Sequence, residues 1–339
     1  MSTPGPVRAL HVNDCAFTAK HLIAEAHRRG LPWSYLPIAG DGRDWAGPVG
    51  QSQRAVLGAA WLARLAAKAT TADLLHVHSG GVVQHTRLVP RRFVVHLHGT
   101  DIRTLQYDAQ WQATIDRALE GALHVFYSTP DLAEHTLPRR PDATYLPVPI
   151  DVASLPAPVP APGRPLVVFA SRWESVKGLE AQLATAQEMV RALHGRARVV
   201  GLDWGPAAAR AAEVGVELVP RRAHSSYLRL LAGATVVVGQ AGGILSASEL
   251  EAIGIGVPVV LPVPLPLYPS SEIESAPPVL GGSPGQAVEA VAAILDGTLQ
   301  PDGERARAWV VDHHSPAGGV DRLLGVYDAL AAAGWSAQR

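Results

Sequence analysis

The sequence predicts an α/β protein of two doubly wound, Rossmann-like domains with a cleft between them. Three observations predict it. Short β-branched runs alternate with longer Ala- and Leu-rich stretches, the pattern of βαβ units that build a parallel sheet. The strand-like runs are apolar at almost every position, as expected where helices cover both faces of a sheet. Near mid-chain a Pro-dense segment breaks the alternation, and a second βα series starts after it. A length of 339 residues suits about two domains.

Residues 7–12 read as the first strand. Residues 17–29 follow as a helix, with Leu22, Ile23 and Ala26 on one face and Gly30 as its stop. A second strand is expected over 33–38 and a longer helix over 51–70. The runs 74–78, 93–98 and 124–128 read as strands, with a helix over 109–123. Pro147, Pro149, Pro156, Pro158, Pro160, Pro162 and Pro165 then crowd one segment. Proline fixes φ and lacks an N–H, so such a segment runs extended and cannot continue a central strand or helix. It separates a domain over 1–150 from one over 166–318, with 151–165 as linker. In the second domain 166–170, 197–201, 235–239 and 257–261 read as strands, and 178–193 and 227–234 as helices. Leu323, Leu324, Tyr327 and Leu330 give helical spacing to the C-terminal segment 319–339.

Composition narrows the function. The 29 Lys and Arg are offset by 30 Asp and Glu, which leaves no broad basic surface for nucleic acid. A hydrophobic content of 47% fills large cores and argues against disorder. The single Cys excludes an intramolecular disulfide and an all-Cys metal cluster, and is compatible with a reducing cytoplasm. Cys15 itself reads as a small buried side chain. No apolar run reaches the ~20 residues of a spanning helix, and none near the N-terminus has signal-peptide length. The expectation is a soluble cytoplasmic protein. Residues 45–72 carry Arg54, Arg64 and Lys68 without an acidic residue. With Leu57, Trp61 and Leu65 they could form a basic amphipathic face at the inner membrane surface. A helix packed on its own domain is the simpler reading.

Ligands of open α/β sheets bind beyond the carboxyl ends of strands, so residues just after strands carry most weight. One cluster, Ser171-Arg172-Trp173-Glu174-Ser175-Val176-Lys177-Gly178, joins a strand to a helix. A helix N-terminus offers unpaired N–H groups and a positive dipole, and Arg172 and Lys177 add two cations, which suits a diphosphate. A second, Gln240-Ala241-Gly242-Gly243, also follows a strand, and its Gly pair admits close backbone approach. Glu251 lies near the start of the next helix. Its carboxylate could hold a ribose diol, or with Glu249 simply favour the helix N-terminus. The third, His96-Leu97-His98-Gly99-Thr100-Asp101, ends another strand. Alternation puts His96 and His98 on one face, as it does His76 and His78. These read as buried, satisfied histidines. Four histidines near strand ends raise the question of a metal, but no HExxH or HxxEH spacing and no nearby carboxylate pair in helical ligand spacing occurs, so buried histidines without a metal are the expectation. His313 and His314 read as surface loop residues. The absence of GxSxG, Walker A and GxGxxG motifs argues against hydrolase, P-loop and dinucleotide functions.

These clusters coincide with the motifs of a known family. From about Val7 to Ala333 the chain resembles retaining glycosyltransferases of the GT-B fold, of the family 4 type. Leu75-His76-Val77-His78-Ser79 resembles that family's third-strand end, and Val94 to Asp101 its "HG.D" segment. Ala170 to Gly178 matches its "GR....KG" segment, with Ala-Ser for the usual Gly. Glu251-Ala252-Ile253-Gly254-Ile255-Gly256-Val257-Pro258-Val259 matches its "EA...G.PV" segment.

The resemblance implies the fold and the roles. The N-terminal domain would hold the acceptor, the C-terminal domain the donor, and the last helix would cross back to the N-terminal domain. The donor would be a nucleoside-diphosphate sugar, as co-substrate, with no cofactor and no metal. Arg172 and Lys177 would clamp its diphosphate, Glu251 its ribose, and the backbone near Val219-Pro220-Arg221 its base. Gly242, Gly243, Ile244 and Leu245 would complete the donor side. His98 and Asp101 would lie at the reacting centre. Asn13, Asp14, Thr18 and His78 would face the acceptor, a small molecule, a glycan or a lipid-linked group. The chain departs from the family twice. Gly243 stands where the family carries a second Glu that contacts the donor sugar, and Asn13 to Thr18 replace its Gly-rich loop. Those departures admit two alternatives: a nucleotide-sugar-binding protein without transfer activity, and a related enzyme acting on a cyclitol.

Overall fold

The computed structural model describes residues 5–38, 45–159 and 162–335. Residues 160–161 of the expected linker, 336–339 of the expected C-terminal segment, and 1–4 and 39–44 of the expected first domain lie outside the described residues. The chain forms two compact units: Met1–Pro149 with Pro316–Arg339, and Ile150–Ser315.

Unit 1 contains β1 (Ala9–Val12), β2 (Ser34–Leu36), β3 (Leu74–His78), β4 (Phe93–Leu97), β5 (Val125–Tyr127) and β6 (Thr144–Tyr145). They form one parallel sheet in the order β2-β1-β3-β4-β5-β6. The chain therefore builds outward from β1 to β2, then crosses to β3 on the other side. β1, β3 and β5 are buried at every position, so they have no polar face to alternate. Helices Thr18–Arg28 and Pro316–Ala332 supply one wall. Leu22, Val320, Leu323 and Tyr327 share a buried cluster with Trp33, Leu74, Val94 and Phe126. Gly319 lets the two helices meet, since a Cβ there would lie 2.8 Å from Leu22. The long helix Gly47–Ala69 buries Trp61 and Leu65, and the Trp61 indole donates to Pro37 O at 2.8 Å. Trp61 and Leu65 thus pack on the unit, while Leu57 is half-buried. Among the described residues no helix is long and apolar enough to cross a membrane.

Unit 2 contains β7 (Leu166–Phe169), β8 (Arg198–Asp203), β9 (Glu217–Pro220), β10 (Val236–Val238), β11 (Val259–Leu261) and β12 (Val279–Gly281). Their order is β12-β11-β10-β7-β8-β9, again all parallel. The strand order reverses between β7 and β10, which makes their carboxyl ends the switch point of a Rossmann-type sheet. Val167, Phe169, Trp173, Met189, Val199, Val236 and Val260 pack in its core. Ile150, the last residue of the expected first domain, and Leu155 of the expected linker are docked on this unit. Ile150 N donates to His314 O at 2.7 Å, and Leu155 contacts the Gly254 position.

Several elements depart from the sequence expectation. β6, β9 and β12 were not anticipated. β6 and β9 are sheet edges and β12 the opposite edge, all short and partly exposed, so none carries a continuous apolar run. Helices Ala208–Glu213, Pro284–Leu295 and Gly303–His314 were also missed. Ser283 before Pro284 is a legible start signal: the Ser283 hydroxyl accepts from Gln286 N, and Pro occupies the first turn. His313 and His314 end a helix instead of lying in a loop, and His314 is buried. Cys15 is only partly buried.

Candidate functional site

The switch point of unit 2 brings two loops together. After β7 the chain passes Ser171 and Arg172, makes a single 3-10 turn over Ser175–Lys177, and enters helix Leu179–Ala192 through Gly178. After β10 it passes Gln240 to Leu245 and enters helix Ala247–Ile255. Gly178 has φ +72°, and a Cβ on it would lie 2.3 Å from Ala241 O. Ala241 N donates to Lys177 O at 3.0 Å. The two loops are thus joined backbone to backbone at the N-terminus of a 14-residue helix.

Glu249 locks this junction from beneath. It is fully buried. Its Oε1 accepts from Gln240 N at 3.0 Å and from Ser171 Oγ at 3.2 Å. Its Oε2 accepts from Ser246 N at 2.9 Å and Ser246 Oγ at 2.7 Å, closing a capping box. A buried carboxylate needs such donors to offset its lost hydration. Glu249 therefore does more than favour a helix start: it ties the β7 loop to the β10 loop. Its partner Gln240 is also buried and donates through Nε2 to Ser246 Oγ at 2.9 Å.

The expected donor residues fall around this junction. Arg172 pairs with Glu174 and stacks over Trp204 at 5.6 Å from the ring centroid. Arg221, just after β9, stacks on the same ring at 4.9 Å. Sequence reading had no signal for Trp204 as the platform shared by both cations. Trp173 lies within the same cluster but belongs to the core. Its ring packs at the Gly201 position and its indole donates to Leu202 O at 3.1 Å. Lys177 is half-buried. Glu251 is buried, and its Oε1 lies 2.6 Å from His224 Nε2. His224 begins helix His224–Ala232 and was not singled out by sequence. Gly242 sits against Gln240, whose Oε1 would be 3.0 Å from an added Cβ. Gly243 has φ +72° and faces only Pro264 and Pro266, both 3.8 Å from an added Cβ. Ile244 and Leu245 are buried and lead into Ser246.

In unit 1 the corresponding switch lies between β1 and β3, and strained backbone gathers there. Asn13, Ala16, Phe17 and Ser79 all have positive φ, a conformation costly for non-glycine residues and often held at functional loops. Asn13 Nδ2 donates to His78 O at 2.9 Å, linking the two strand ends. Asp14 accepts from Ala19 N at 2.9 Å at the start of helix Thr18–Arg28, and burial raises its pKa. Thr18 is fully buried, and its hydroxyl has no partner among the described residues. Asp101 is buried at the end of β4. Its carboxylate accepts from Gly80 N, Gly99 N and Ile102 N, each at 3.0 Å, and from His98 N at 3.2 Å. Burial raises its pKa against the pull of those donors. Asp101 therefore shapes the turn that carries His98, with its oxygens occupied by backbone N–H groups.

Beneath that turn lies a histidine core. Alternation puts His76 and His78 on one face of β3, and the register sets His11 beside His76 and His78 beside His96. His11 Nδ1 lies 3.0 Å from His78 Nε2, and His78 Nδ1 lies 3.1 Å from His98 Nε2. His76 Nδ1 meets Tyr327 OH at 2.6 Å. His96 Nε2 donates to Leu146 O at 3.2 Å. His11, His76, His78 and His96 are fully buried, and His98 is half-buried at the mouth. Burial lowers the pKa of all five, to about 3 for His11 and His96. The expectation of satisfied histidines needs correction. His11 Nε2, His76 Nε2 and His96 Nδ1 have no hydrogen-bond partner among the described residues. His11 was absent from the sequence reading because only sheet register brings it to the others.

No family model matches the chain, and no curated protein matches it by sequence. Its fold is well represented among solved structures. HepE of Anabaena, solved in complex with UDP-glucose, aligns with a TM-score of 0.65 at 13% identity, over 95% of this chain and 100% of its own. AviGT4, a glycosyltransferase involved in avilamycin A biosynthesis, aligns with a TM-score of 0.62 at 20% identity, over 96% of this chain and 98% of its own. A proposed UDP-N-acetylglucosamine 2-epimerase from Listeria monocytogenes aligns with a TM-score of 0.59 at 13% identity, over 96% of both chains. The chain has the two-domain α/β architecture of the GT-B fold.

Proposed function

We propose that the chain is a glycosyltransferase that takes a sugar from a nucleoside-diphosphate sugar and passes it to an acceptor hydroxyl with retention of configuration. The observation that carries the reading is the junction at the β7–β10 switch point. There a helix N-terminus, Lys177, Arg172 and the Gly242-Gly243 loop converge and are fixed by Glu249. The fold shared with HepE and AviGT4 supports it. Fold alone does not choose the chemistry, since the Listeria protein shares it too. Retention is supported by the motif resemblance of the sequence.

In this reading the diphosphate rests at the N-terminus of Leu179–Ala192. As the bond from the sugar's anomeric carbon to the diphosphate breaks, charge grows on the leaving oxygen. The helix dipole, Arg172 and Lys177 stabilise that charge where it develops, so this step needs no metal at the diphosphate. The acceptor oxygen bonds the anomeric carbon on the face the diphosphate leaves, and its proton passes to the departing diphosphate oxygen, which is the base nearest to it on that face. Glu251 holds the ribose through the oxygen His224 does not engage. The base lies near Arg221. In unit 1, His98 is the residue proposed for the reacting centre, and Asp101 sets its position through the turn. Asn13 and Asp14 border the acceptor, with Thr18 and His78 behind them.

The test is turnover of UDP-sugars, then other nucleotide sugars, with a panel of hydroxyl acceptors. Nucleoside diphosphate release that depends on acceptor, with the donor's anomeric configuration kept in the product, is the expected result. Binding without release supports a silent binding protein. Alteration of the sugar while it stays on the nucleotide supports an epimerase and overturns transfer.

A further inference from the structure

We propose that His78, His96 and His98 form a binding site for one divalent transition-metal ion of the zinc type, with a water in the fourth position. One ring nitrogen of each lies within 4.8 Å of the others. The ring centroids are 5.4, 5.3 and 4.2 Å apart, and the planes are tilted by 45°, 27° and 39°. His78 Nδ1 and His98 Nε2 are 3.1 Å apart. That is close to the edge of a tetrahedron, about 3.3 Å for zinc–nitrogen bonds of about 2.0–2.1 Å.

The surrounding bonds prepare the nitrogens as ligands. A carbonyl oxygen can only accept, so the bond to Leu146 O fixes the His96 proton on Nε2. The lone pair on His96 Nδ1 is then buried and faces no donor among the described residues. Metal-binding imidazoles are commonly held this way, with the second ring nitrogen donating to a carbonyl or another acceptor. His78 Nε2 can likewise donate to His11 Nδ1 at 3.0 Å, which leaves His78 Nδ1 for the ion. His98 is half-buried while His78 and His96 are enclosed, so the ion and its water enter past His98. An all-nitrogen set suits zinc, cobalt, nickel or copper and does not suit calcium or magnesium, which take oxygen ligands.

The neighbouring trio His11, His76 and His78 fits less well. The His11 and His76 rings lie 6° from parallel at 4.5 Å. A ligated metal lies in the plane of each imidazole, so two stacked rings cannot point to one ion. The proposal rests on unit 1 alone and stands whether or not the chain transfers a sugar.

The test uses the full chain without a histidine tag, stripped with chelator and titrated with Zn²⁺ by calorimetry and with Co²⁺ by visible absorption. One equivalent should bind, and the Co²⁺ form should show the intense visible bands of a four-coordinate site. His96→Gln and His98→Gln should each weaken Zn²⁺ binding at least tenfold, while His135→Gln should not. Excess Mg²⁺ should not compete. His98 is half-buried, so its variant decides the matter if His96→Gln fails to fold. Absence of a stoichiometric ion in the wild-type protein, or unchanged affinity in a folded His98→Gln variant, overturns the proposal.

Discussion

Gly178 lies so close to Ala241 that the Ala241 carbonyl occupies the space of a side chain: a Cβ would sit 2.3 Å from that oxygen. The contact holds the β7 and β10 loops together. Gly178→Ala must overcome both a left-handed backbone and a backbone clash. The first costs about 1–2 kcal/mol, and the second can be relieved only by parting the loops. Gly297 provides the control, since it has the same φ of +72° with nothing within 4 Å of its Cβ. Gly297→Ala should lose only the conformational part in chemical denaturation. Gly178→Ala should lose clearly more, and nucleotide binding with it. Equal losses would show that the close approach is not needed.

Arg172→Ala and Lys177→Ala should each weaken binding of the cognate nucleoside diphosphate. Loss of a charge-assisted hydrogen bond costs about 1.5–3 kcal/mol. Arg172 already pairs with Glu174, so part of its interaction is exchanged on binding, and its loss should fall at the lower end. Calorimetry on both variants checks this. Unchanged affinity in both would remove the diphosphate from this junction.

Glu251→Gln should erase discrimination between ribo- and 2′-deoxyribonucleoside diphosphates. The amide keeps the shape, loses the charge and offers one acceptor oxygen where the carboxylate has two. His224 already engages Glu251 Oε1 at 2.6 Å, so a single remaining oxygen must read the sugar. His224→Ala should then change the preference less than Glu251→Gln. Competition binding with the two nucleotides measures it, and full discrimination in Glu251→Gln would leave Glu251 a structural partner of His224.

His124 gives the protein an acid sensitivity of defined sign. It is half-buried, with Nε2 2.9 Å from Thr144 Oγ1 and its ring against Phe126, and burial lowers its pKa to about 4. In the unfolded chain the value is about 6.5. Between those values the unfolded state takes up a proton that the folded state refuses. This contribution to stability is therefore complete above about pH 6.5 and is lost as pH falls toward 4. Denaturation free energies across that window should decline with acidification, and His124→Gln should make the decline shallower, the remainder coming from the buried His11, His76, His78, His96 and His98. An NMR titration should place the imidazole midpoint near the lower value. Parallel declines in variant and wild type would assign the effect to other groups.

What the sequence revealed follows from how local each feature is. The loops at Arg172–Gly178 and Gln240–Gly243 were legible because glycine and cations directly after apolar runs are local signals. The shared face of His76 and His78 was legible from alternation. Pairings across long stretches were not. Ser171 reaches Glu249 across 78 residues, and only sheet register sets His11 beside His76. The stack of Arg172 and Arg221 on Trp204 likewise depends on β7, β8 and β9 ending side by side. The edge strands β9 and β12 were missed because their exposed positions dilute the apolar signal.

Gly243 separates two accounts of the missing family carboxylate. Its φ of +72° disfavours any side chain, by about 1–2 kcal/mol, but the space beyond is open, with Pro264 O and Pro266 Cδ both 3.8 Å from an added Cβ. A larger residue is therefore strained but not excluded. Gly243→Ala measures the strain alone and should keep most of the activity. Gly243→Glu also adds a negative charge beside the loop proposed to receive a diphosphate. If the open space belongs to the native donor, that variant should lose activity with it by far more than Gly243→Ala does, because like charge and lost volume act together. If the site has merely lost a sugar anchor, Gly243→Glu should instead raise transfer from a common hexose donor. We expect the first outcome, since Gly242 and Gly243 together leave the backbone open to a ligand. Thermal melting of both variants checks that they fold, and assays with the native and a common hexose donor tell the accounts apart. Increased turnover with the native donor in Gly243→Glu would reverse the assignment.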